Sequence, residues 1–529
     1  MNIRTQNYYN FFLFIIGLSF SVWLFVINIT GISYDFFPGD LGDARFNNYI
    51  LEHSYQFMCS HLESFWDAPF IYPEKEIITY SDNLIGTSPF YAVFRLIGYD
   101  RETSFQNWFL LMTIFNYTSC FFLLKYMFKN TYVSVLGALV FACSIALQSQ
   151  VGHAQTIPRF PIPLGILFGL LYIENLKPKY FFLTIFALTY QIYCGIYLGF
   201  LMFIPIVILL IISFIVKRKL YTKTIRDMKW LSSVLLSCIL NLVLLLLILL
   251  PYKKRADSGG LYLYENIVSS VPTFKSFFFS NPGSFLWGKL EHIADDYPYF
   301  WDFKIFPGGV ATLSILFCLI LTVIAIVKKK KLNEYNHQYI IIFITGFITF
   351  LFFVRIDDIS FYKILFNIPG FASMRALQRI INIELVFYSI ATAFFLKYLF
   401  KSKNELRNFI VFSILILIVV IDNKIDPENA HRTKKQIAQD RIYTLVKKME
   451  GLPKGSVISY EPDTMYSHPN DYQIDAMLAS QSLQLKCLNG YTATSPNEYY
   501  WYWSKPNEES RKKWLDYKGV SSDKIIVIH

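Results

Sequence analysis

Pro38-Gly39-Asp40-Leu41-Gly42-Asp43-Ala44-Arg45-Phe46 sets two carboxylates three residues apart in a glycine-rich turn, just beyond a long apolar run from Phe11 to Ile29. Gly39 and Gly42 permit a tight backbone that tolerates left-handed geometry. From Ala44 to about His61 the pattern turns helical, with Phe46, Ile50 and Phe57 on one apolar face, so Asp43 stands at a helix start. An Asp in such a place can simply cap the helix or hydrogen-bond its own turn. Its position at a membrane surface supports a second reading, that of a reacting carboxylate.

The membrane surface follows from composition. The chain has 529 residues, of which 54% are hydrophobic, 18% aromatic and only 16% charged, and its mean hydropathy is +0.38. These values exclude an ordinary soluble domain and predict a mainly α, polytopic membrane protein. The formal net charge of +11 comes mainly from short basic clusters between apolar runs, as membrane topology requires, so nucleic acid is not an expected partner. Cys120, Cys143, Cys194, Cys238 and Cys318 lie inside apolar runs, and Cys59 and Cys487 lack CxxC or Cys/His spacing. Neither a disulfide framework nor a metal site is expected. The first apolar run is too long for a signal-peptide core and lacks a small-residue cleavage site, which marks it as a retained span.

Runs able to cross about 30 Å of hydrocarbon number about eleven. They centre near residues 11–30, 107–124, 132–149, 161–174, 179–194, 197–216, 231–250, 309–327, 338–354, 377–399 and 408–422, with a hairpin turn expected at Cys194-Gly195-Ile196. Under that count Lys125 with Lys129, Lys177 with Lys179, the cluster from Lys217 to Lys229, Lys328 to Lys331, and Lys401 to Arg407 all fall on one side. That side is expected to be cytoplasmic, which puts the N-terminus inside and the C-terminus outside a cell inner membrane. The predicted organisation is a transmembrane domain over residues 1–422, with outer loops at 31–106 and 251–308, followed by an extracytoplasmic domain over 423–529. The second loop is broken by Pro and Gly and rich in aromatics, which suits a segment packed over a cavity. The tail combines a strand-like Ser456–Tyr460, a helical stretch near Asp475 to Gln484 and the aromatic run Tyr499–Trp503, and reads as a small α/β domain. The absence of an internal repeat removes one argument for a secondary transporter.

An acidic pair on the first outer loop, an amphipathic helix after it, and many later spans together resemble the GT-C superfamily of membrane glycosyltransferases. The resemblance implies a GT-C-like bundle, an Asp of that loop as the site of catalysis, and a sugar on a polyprenyl phosphate as donor, with undecaprenyl phosphate the carrier in a bacterium. Transfer to a hydroxyl needs a base for the acceptor proton and donors for the departing phosphate, but no metal or other cofactor in principle. Asp43 or Asp40 is the candidate base, provided its pKa is tuned near working pH, with the other orienting the acceptor. The spacing of Asp40 and Asp43 departs from the adjacent acidic pair or DxD of better-known branches, so the choice between them and a role for a divalent cation both stay open. Glu52 and His53, further along the same helix, are candidate supporting groups, with a helix-packing role as the alternative.

Two further constellations carry polar chemistry. In Gln150-Val151-Gly152-His153-Ala154-Gln155-Thr156-Ile157-Pro158-Arg159, a short outer loop holds His153, Gln155 and an Arg159 that runs against the positive-inside bias and is expected at lipid-phosphate depth. GT-C-like bacterial proteins often show such a His-containing segment; helix capping and snorkelling to headgroups are the alternatives. In Phe371-Ala372-Ser373-Met374-Arg375-Ala376-Leu377-Gln378-Arg379, Arg375 and Arg379 are i and i+4 and are expected to share a helix face suited to a phosphate, unless they pair with Glu384, Asp357 or Asp358. The preceding Ile368-Pro369-Gly370-Phe371 is similar to the pattern of the same proteins, as are Ala479-Ser480-Gln481-Ser482-Leu483 and Leu488-Asn489-Gly490-Tyr491 in the tail. The tail aromatics suit sugar stacking, core packing or anchoring at a membrane surface.

The expected function is an inverting transfer of one sugar from a polyprenyl-phosphate carrier to a surface glycan or lipid acceptor at the extracytoplasmic face, in contact with membrane lipid. The alternatives are a flippase for a lipid-linked glycan, a polymerase or ligase using a lipid-diphosphate donor, and an accessory membrane protein. Ionisable residues concentrated at the outer ends of the spans favour surface chemistry over transport.

Overall fold

The computed structural model describes residues 3–529 except 260, 295–302, 329–336, 403 and 464–467, so Lys329 to Lys331 of the fourth basic cluster lie outside the described residues. Among them, seven helices are long and apolar enough to cross a membrane: Gln6–Thr30, Arg101–Phe128, Thr131–Gln148, Ala154–Asn175, Ile196–Val216, Met228–Asp257 and Leu377–Phe400. Gly309–Ala325 and Gln338–Phe352 are shorter apolar helices, and Pro178–Cys194 and Glu405–Asp422 complete the runs read from hydropathy. Local chemistry sets the boundaries. The Asp100 carboxylate accepts from the Thr103 amide and the Asn130 amide oxygen from the Val133 amide, capping successive helices, while Gly195 interrupts the chain at the expected hairpin.

One polar end of the bundle carries the segments that build the candidate site. Short strands occur at β1 (Phe36–Pro38), β2 (Arg355–Ile356), β3 (Ile359–Ser360), β4 (Arg432–Lys434), β5 (Val457–Tyr460), β6 (Lys486–Cys487) and β7 (Ile525–Ile528). β2 and β3 form a hairpin. β5 lies between β6 and β7 in a parallel three-stranded sheet, connected by the helix Pro469–Ser482 and by Glu508–Lys518. Strand and helix fall where the tail's pattern put them, although the helix starts at Pro469, earlier than its apolar content suggested.

The tail is sewn to the first loop rather than set apart from it. β1 pairs with β4 antiparallel, with Pro38 opposite Arg432. The Cys487 amide donates to the Pro69 carbonyl at 2.8 Å and the Tyr72 amide to the Cys487 carbonyl at 2.9 Å, so the loop extends the small sheet. A charged tie runs beneath. Arg45, on the helix Asp43–Met58, meets Asp475 at 2.6 Å with both side chains no more than 3% exposed, and Arg441 grips the other oxygen of the same carboxylate. A carboxylate shared by two guanidiniums answers the desolvation cost that a lone buried charge would carry. The first-loop helix buries Phe46 and Ile50 as its periodicity predicts, but Phe57 is 39% exposed near its end. Of the aromatic run, Tyr499 and Tyr502 are core while Tyr500 and Trp501 face outward.

Candidate active site

The site is built where two glycine backbones cross. A Cβ on Gly39 would lie 2.9 Å from the Gly152 Cα, and Gly39 itself has φ +88°, so neither position has room for a side chain. This crossing lays the Asp40–Asp43 turn against the His153 loop. The β1–β4 pairing adds the third wall: the Gly39 amide donates to the His431 carbonyl at 3.0 Å, and a Cβ on Gly152 would meet the His431 ring at 2.7 Å.

Asp43 is the convergence point. His153 Nδ1 donates to Asp43 Oδ2 at 2.8 Å, and the Tyr491 hydroxyl donates to Asp43 Oδ1. Asn47, one turn along the helix, donates both to the Asp43 carbonyl at 2.7 Å and to Gln155 Oε1 at 3.1 Å, which ties the His153 loop to the helix. Burial works to raise the Asp43 carboxyl, but the hydrogen bond and charge of His153, the Tyr491 hydroxyl and the nearby Arg379 guanidinium outweigh it and hold the carboxyl at about 2. Asp43 is therefore a carboxylate at neutral pH. A group held there is poorly matched to taking a proton itself, contrary to the expectation of a base tuned near working pH. In the neutral ring, with Nδ1 carrying the proton toward Asp43, Nε2 is the acceptor atom that His153 presents.

Asp40 has a different environment. Its Oδ1 accepts from the Gly42 amide at 3.0 Å and the Ala44 amide at 3.3 Å, which is the capping role that an Asp in this turn can play. Its Oδ2 faces His431 Nε2 at 3.9 Å. Burial lowers the His431 imidazole against the upward pull of Asp40. The result is two carboxylates from one turn, each with an imidazole from a different segment.

The remaining predicted residues divide. Gln155 stands beside Asp43 through Asn47, as described. Arg379 lies near enough to bear on Asp43 and on Asp82, and its guanidinium sits over the Tyr197 ring at 5.2 Å. Asp82 accepts from the Ile196 amide at 2.6 Å, and burial pushes its carboxyl up against the pull of Arg379. Arg375 donates to the Ala493 carbonyl at 2.9 Å. The two arginines do not share a helix face: Leu377–Ile380 is a 3-10 turn, the α-helix begins only at Ile381, and Arg375 precedes both. The missing regularity has a local cause, because the Tyr197 hydroxyl takes up the Ala376 amide.

Three predicted residues lie elsewhere. Glu52 is buried and its carboxylate is occupied by the Tyr91 hydroxyl at 2.7 Å and by Arg95 at 2.8 Å, bracing the helix Ser88–Ile97. It stands roughly 13 Å along the helix from Asp43. Arg159 is fully buried, not at the lipid surface: its guanidinium points to the Thr156 carbonyl and Asn382 at 3.4 Å and lies over the Phe141 ring. His53 Nε2 donates to the Phe65 carbonyl at 2.7 Å, with burial holding the ring down to about 4, and takes no part.

Tyr491 and His431 are the residues that sequence reasoning did not place. The Asn-Gly-Tyr signal was visible, and the structure explains each member. Asn489 pairs with both the amide and the carbonyl of Tyr460, Gly490 passes where a Cβ would strike Ile71 at 2.2 Å, and Tyr491 then reaches Asp43. Among the described residues no group of three or more His, Cys, Asp or Glu side chains is arranged to hold a metal ion.

No protein-family model matches the sequence, and no curated protein matches it either. Solved structures do resemble it. The Archaeoglobus fulgidus oligosaccharyltransferase in its apo form matches 98% of this chain and 69% of its own, at 11% identity and a TM-score of 0.51. The same enzyme tethered through a disulfide bond to an acceptor peptide containing the NVT sequon matches 97% of this chain and 68% of its own, at 11% identity and a TM-score of 0.50. At that identity the likeness is one of fold, and over nearly its whole length this chain shares the overall fold of that oligosaccharyltransferase.

Proposed function

We propose that the protein transfers a glycosyl group from a polyprenyl-phosphate carrier to an acceptor hydroxyl at the extracytoplasmic face of a cytoplasmic membrane. The observation that carries this reading is the meeting of Asp43, His153, Arg379 and Tyr491 from four distant segments at the polar end of a GT-C-type bundle. The N-terminus lies in the cytoplasm, and residues 423–529 form an extracytoplasmic unit over the loop 31–106. Undecaprenyl phosphate is the carrier in a bacterium, and a surface glycan or lipid is the acceptor.

In the proposed step the acceptor oxygen attacks the anomeric carbon as the bond to the carrier phosphate breaks. His153 Nε2 takes the acceptor proton, and Asp43 holds the ring in the required tautomer and stabilises the imidazolium that forms. Arg379 and Arg375 offset charge on the departing phosphate. A single displacement of this kind inverts the anomeric centre. The base role thus moves from the carboxylate to the imidazole that it orients.

The test is transfer of labelled sugar from undecaprenyl-monophosphate donors in membranes containing the parent, Asp43→Asn or His153→Gln. Loss of roughly 10²- to 10⁴-fold in both variants is expected. Parent-level transfer by both, with insertion and folding intact, overturns the reading. Transfer by the parent only from a diphosphate donor, or only to a peptide amide, replaces the proposed substrates while leaving the site in place.

A further inference from the structure

The β2–β3 hairpin is built inside out for a segment in water. Ile356, Ile359, Phe361 and Ile364 are 63%, 81%, 59% and 60% exposed, whereas Arg355 at its root turns inward and is 15% exposed. The Arg355 Nε donates to the Val271 carbonyl at 3.0 Å and its Nη1 to the Asp357 carbonyl at 2.8 Å, so the guanidinium bridges the hairpin and the segment it packs against. The tip carries the opposite character: Asp358 is 93% exposed.

Position supplies the occupant. The hairpin follows the apolar helix His337–Phe352 and leads through Tyr362–Phe366 to the span that begins at Leu377. A helix of 16 residues is about 24 Å long, against about 30 Å of hydrocarbon. The helix is thus about 6 Å shorter than the hydrocarbon is thick, which brings the residues flanking it within reach of lipid. Backbone exposed to lipid has to be paired, and the two strands pair with each other and at their root. Arg355 pairs with Ser360 and Ile356 with Ile359, while the Arg355 amide donates to the Pro272 carbonyl at 2.8 Å. The exposed Phe274 beside this root continues the apolar surface toward the second loop.

We infer that the β2–β3 hairpin inserts its apolar flanks into the membrane leaflet on the same side as the candidate site, with Ile356, Ile359, Phe361 and Ile364 in acyl chains and Asp357 and Asp358 among headgroups. The occupant of this face is the bilayer itself, by continuity with the spans on either side of it. The hairpin then fixes the depth of the chain that runs on to Arg375 and Arg379.

Environment-sensitive labelling tests this directly, because the positions are exposed and tolerate a label. Cys59, Cys238 and Cys318, the cysteines that are not fully buried, are replaced, and a nitrobenzoxadiazole probe is placed at Ile359→Cys, Phe361→Cys or, as a water-exposed reference on another segment, Glu450→Cys. The full chain is measured in nanodiscs of phosphatidylethanolamine and phosphatidylglycerol. Emission at positions 359 and 361 is expected to be blue-shifted relative to 450, quenched by doxyl-labelled lipid, and several-fold less accessible to iodide. Iodide accessibility equal to the reference overturns the proposal. Protection from both quenchers also overturns it, since the face is then covered by protein.

Discussion

Asp43→Asn removes one negative charge while keeping the shape of the side chain, and its effect can be worked from the site. The parent carboxyl is held at about 2 against an ordinary 3.8, a difference that converts to about 2 kcal/mol favouring the charged form in the folded protein. That is an upper value, because the Asp43 side chain is a quarter exposed. The depressed carboxyl contributes its stability in full above pH 4 and loses it as the pH falls toward 2. Since Tyr491 reaches Asp43 from the tail, the lost energy is read as easier opening of the segment Leu488–Thr494. At pH 7 amide hydrogen exchange there is expected to accelerate by up to about 30-fold in Asp43→Asn. Parent and variant are expected to converge when limited proteolysis is repeated between pH 4 and 2 with an acid-active protease. Exchange within twofold of the parent at pH 7, in a variant that is otherwise folded, would refute the claim that this carboxylate clamps the tail to the first loop.

Tyr491→Phe deletes only the hydroxyl, and loss of a hydrogen bond to a charged group, about 1.5–3 kcal/mol, is expected to slow sugar transfer roughly 10- to 100-fold with little change in expression. Gly490→Ala drives a methyl to 2.2 Å from Ile71 Cγ1, so melting in detergent should reveal a loss of about 1–3 kcal/mol. Asp475→Asn leaves Arg45 buried without its counter-charge and is expected to cost about 3–5 kcal/mol, seen as lost monodisperse protein on size exclusion. Arg379→Ala removes one of the charges that lower Asp43; the acid transition of the proteolysis assay is expected to move to higher pH, and an unmoved transition would place Arg379 too far away to matter.

The parts of this molecule that hydropathy controls were open to reading. The apolar runs became helices, seven of them long and apolar enough to cross a membrane, because a helix satisfies its own backbone, and the Asp43 helix start followed from a periodicity that local sequence carries. The partners of the site were not open in the same way. His153 and Asp43 are separated by 110 positions and Tyr491 and Asp43 by 448, and no local pattern encodes which distant side chain will meet a given carboxylate. Arg159 shows the opposite hazard. Its place in a short loop suggested the lipid surface, but the crossing helices close over it and supply carbonyl oxygens in place of a phosphate. Arg375 and Arg379 were expected on one helix because their spacing allows it; a tyrosine hydroxyl from another helix delays the helix start and separates them.

The seam between β1 and β4 also carries a consequence for how the chain is made. The turn bearing Asp40 and Asp43 is synthesised early, yet its imidazole neighbour His431 and its phenolic neighbour Tyr491 belong to the last fifth of the polypeptide. At about 5–20 residues per second the interval between translation of Asp43 and Tyr491 is roughly 20–90 s. Throughout that interval Asp43 stands without its phenolic partner. A chain that stalls or is clipped before Tyr491 therefore carries the turn without the phenol that meets its carboxylate.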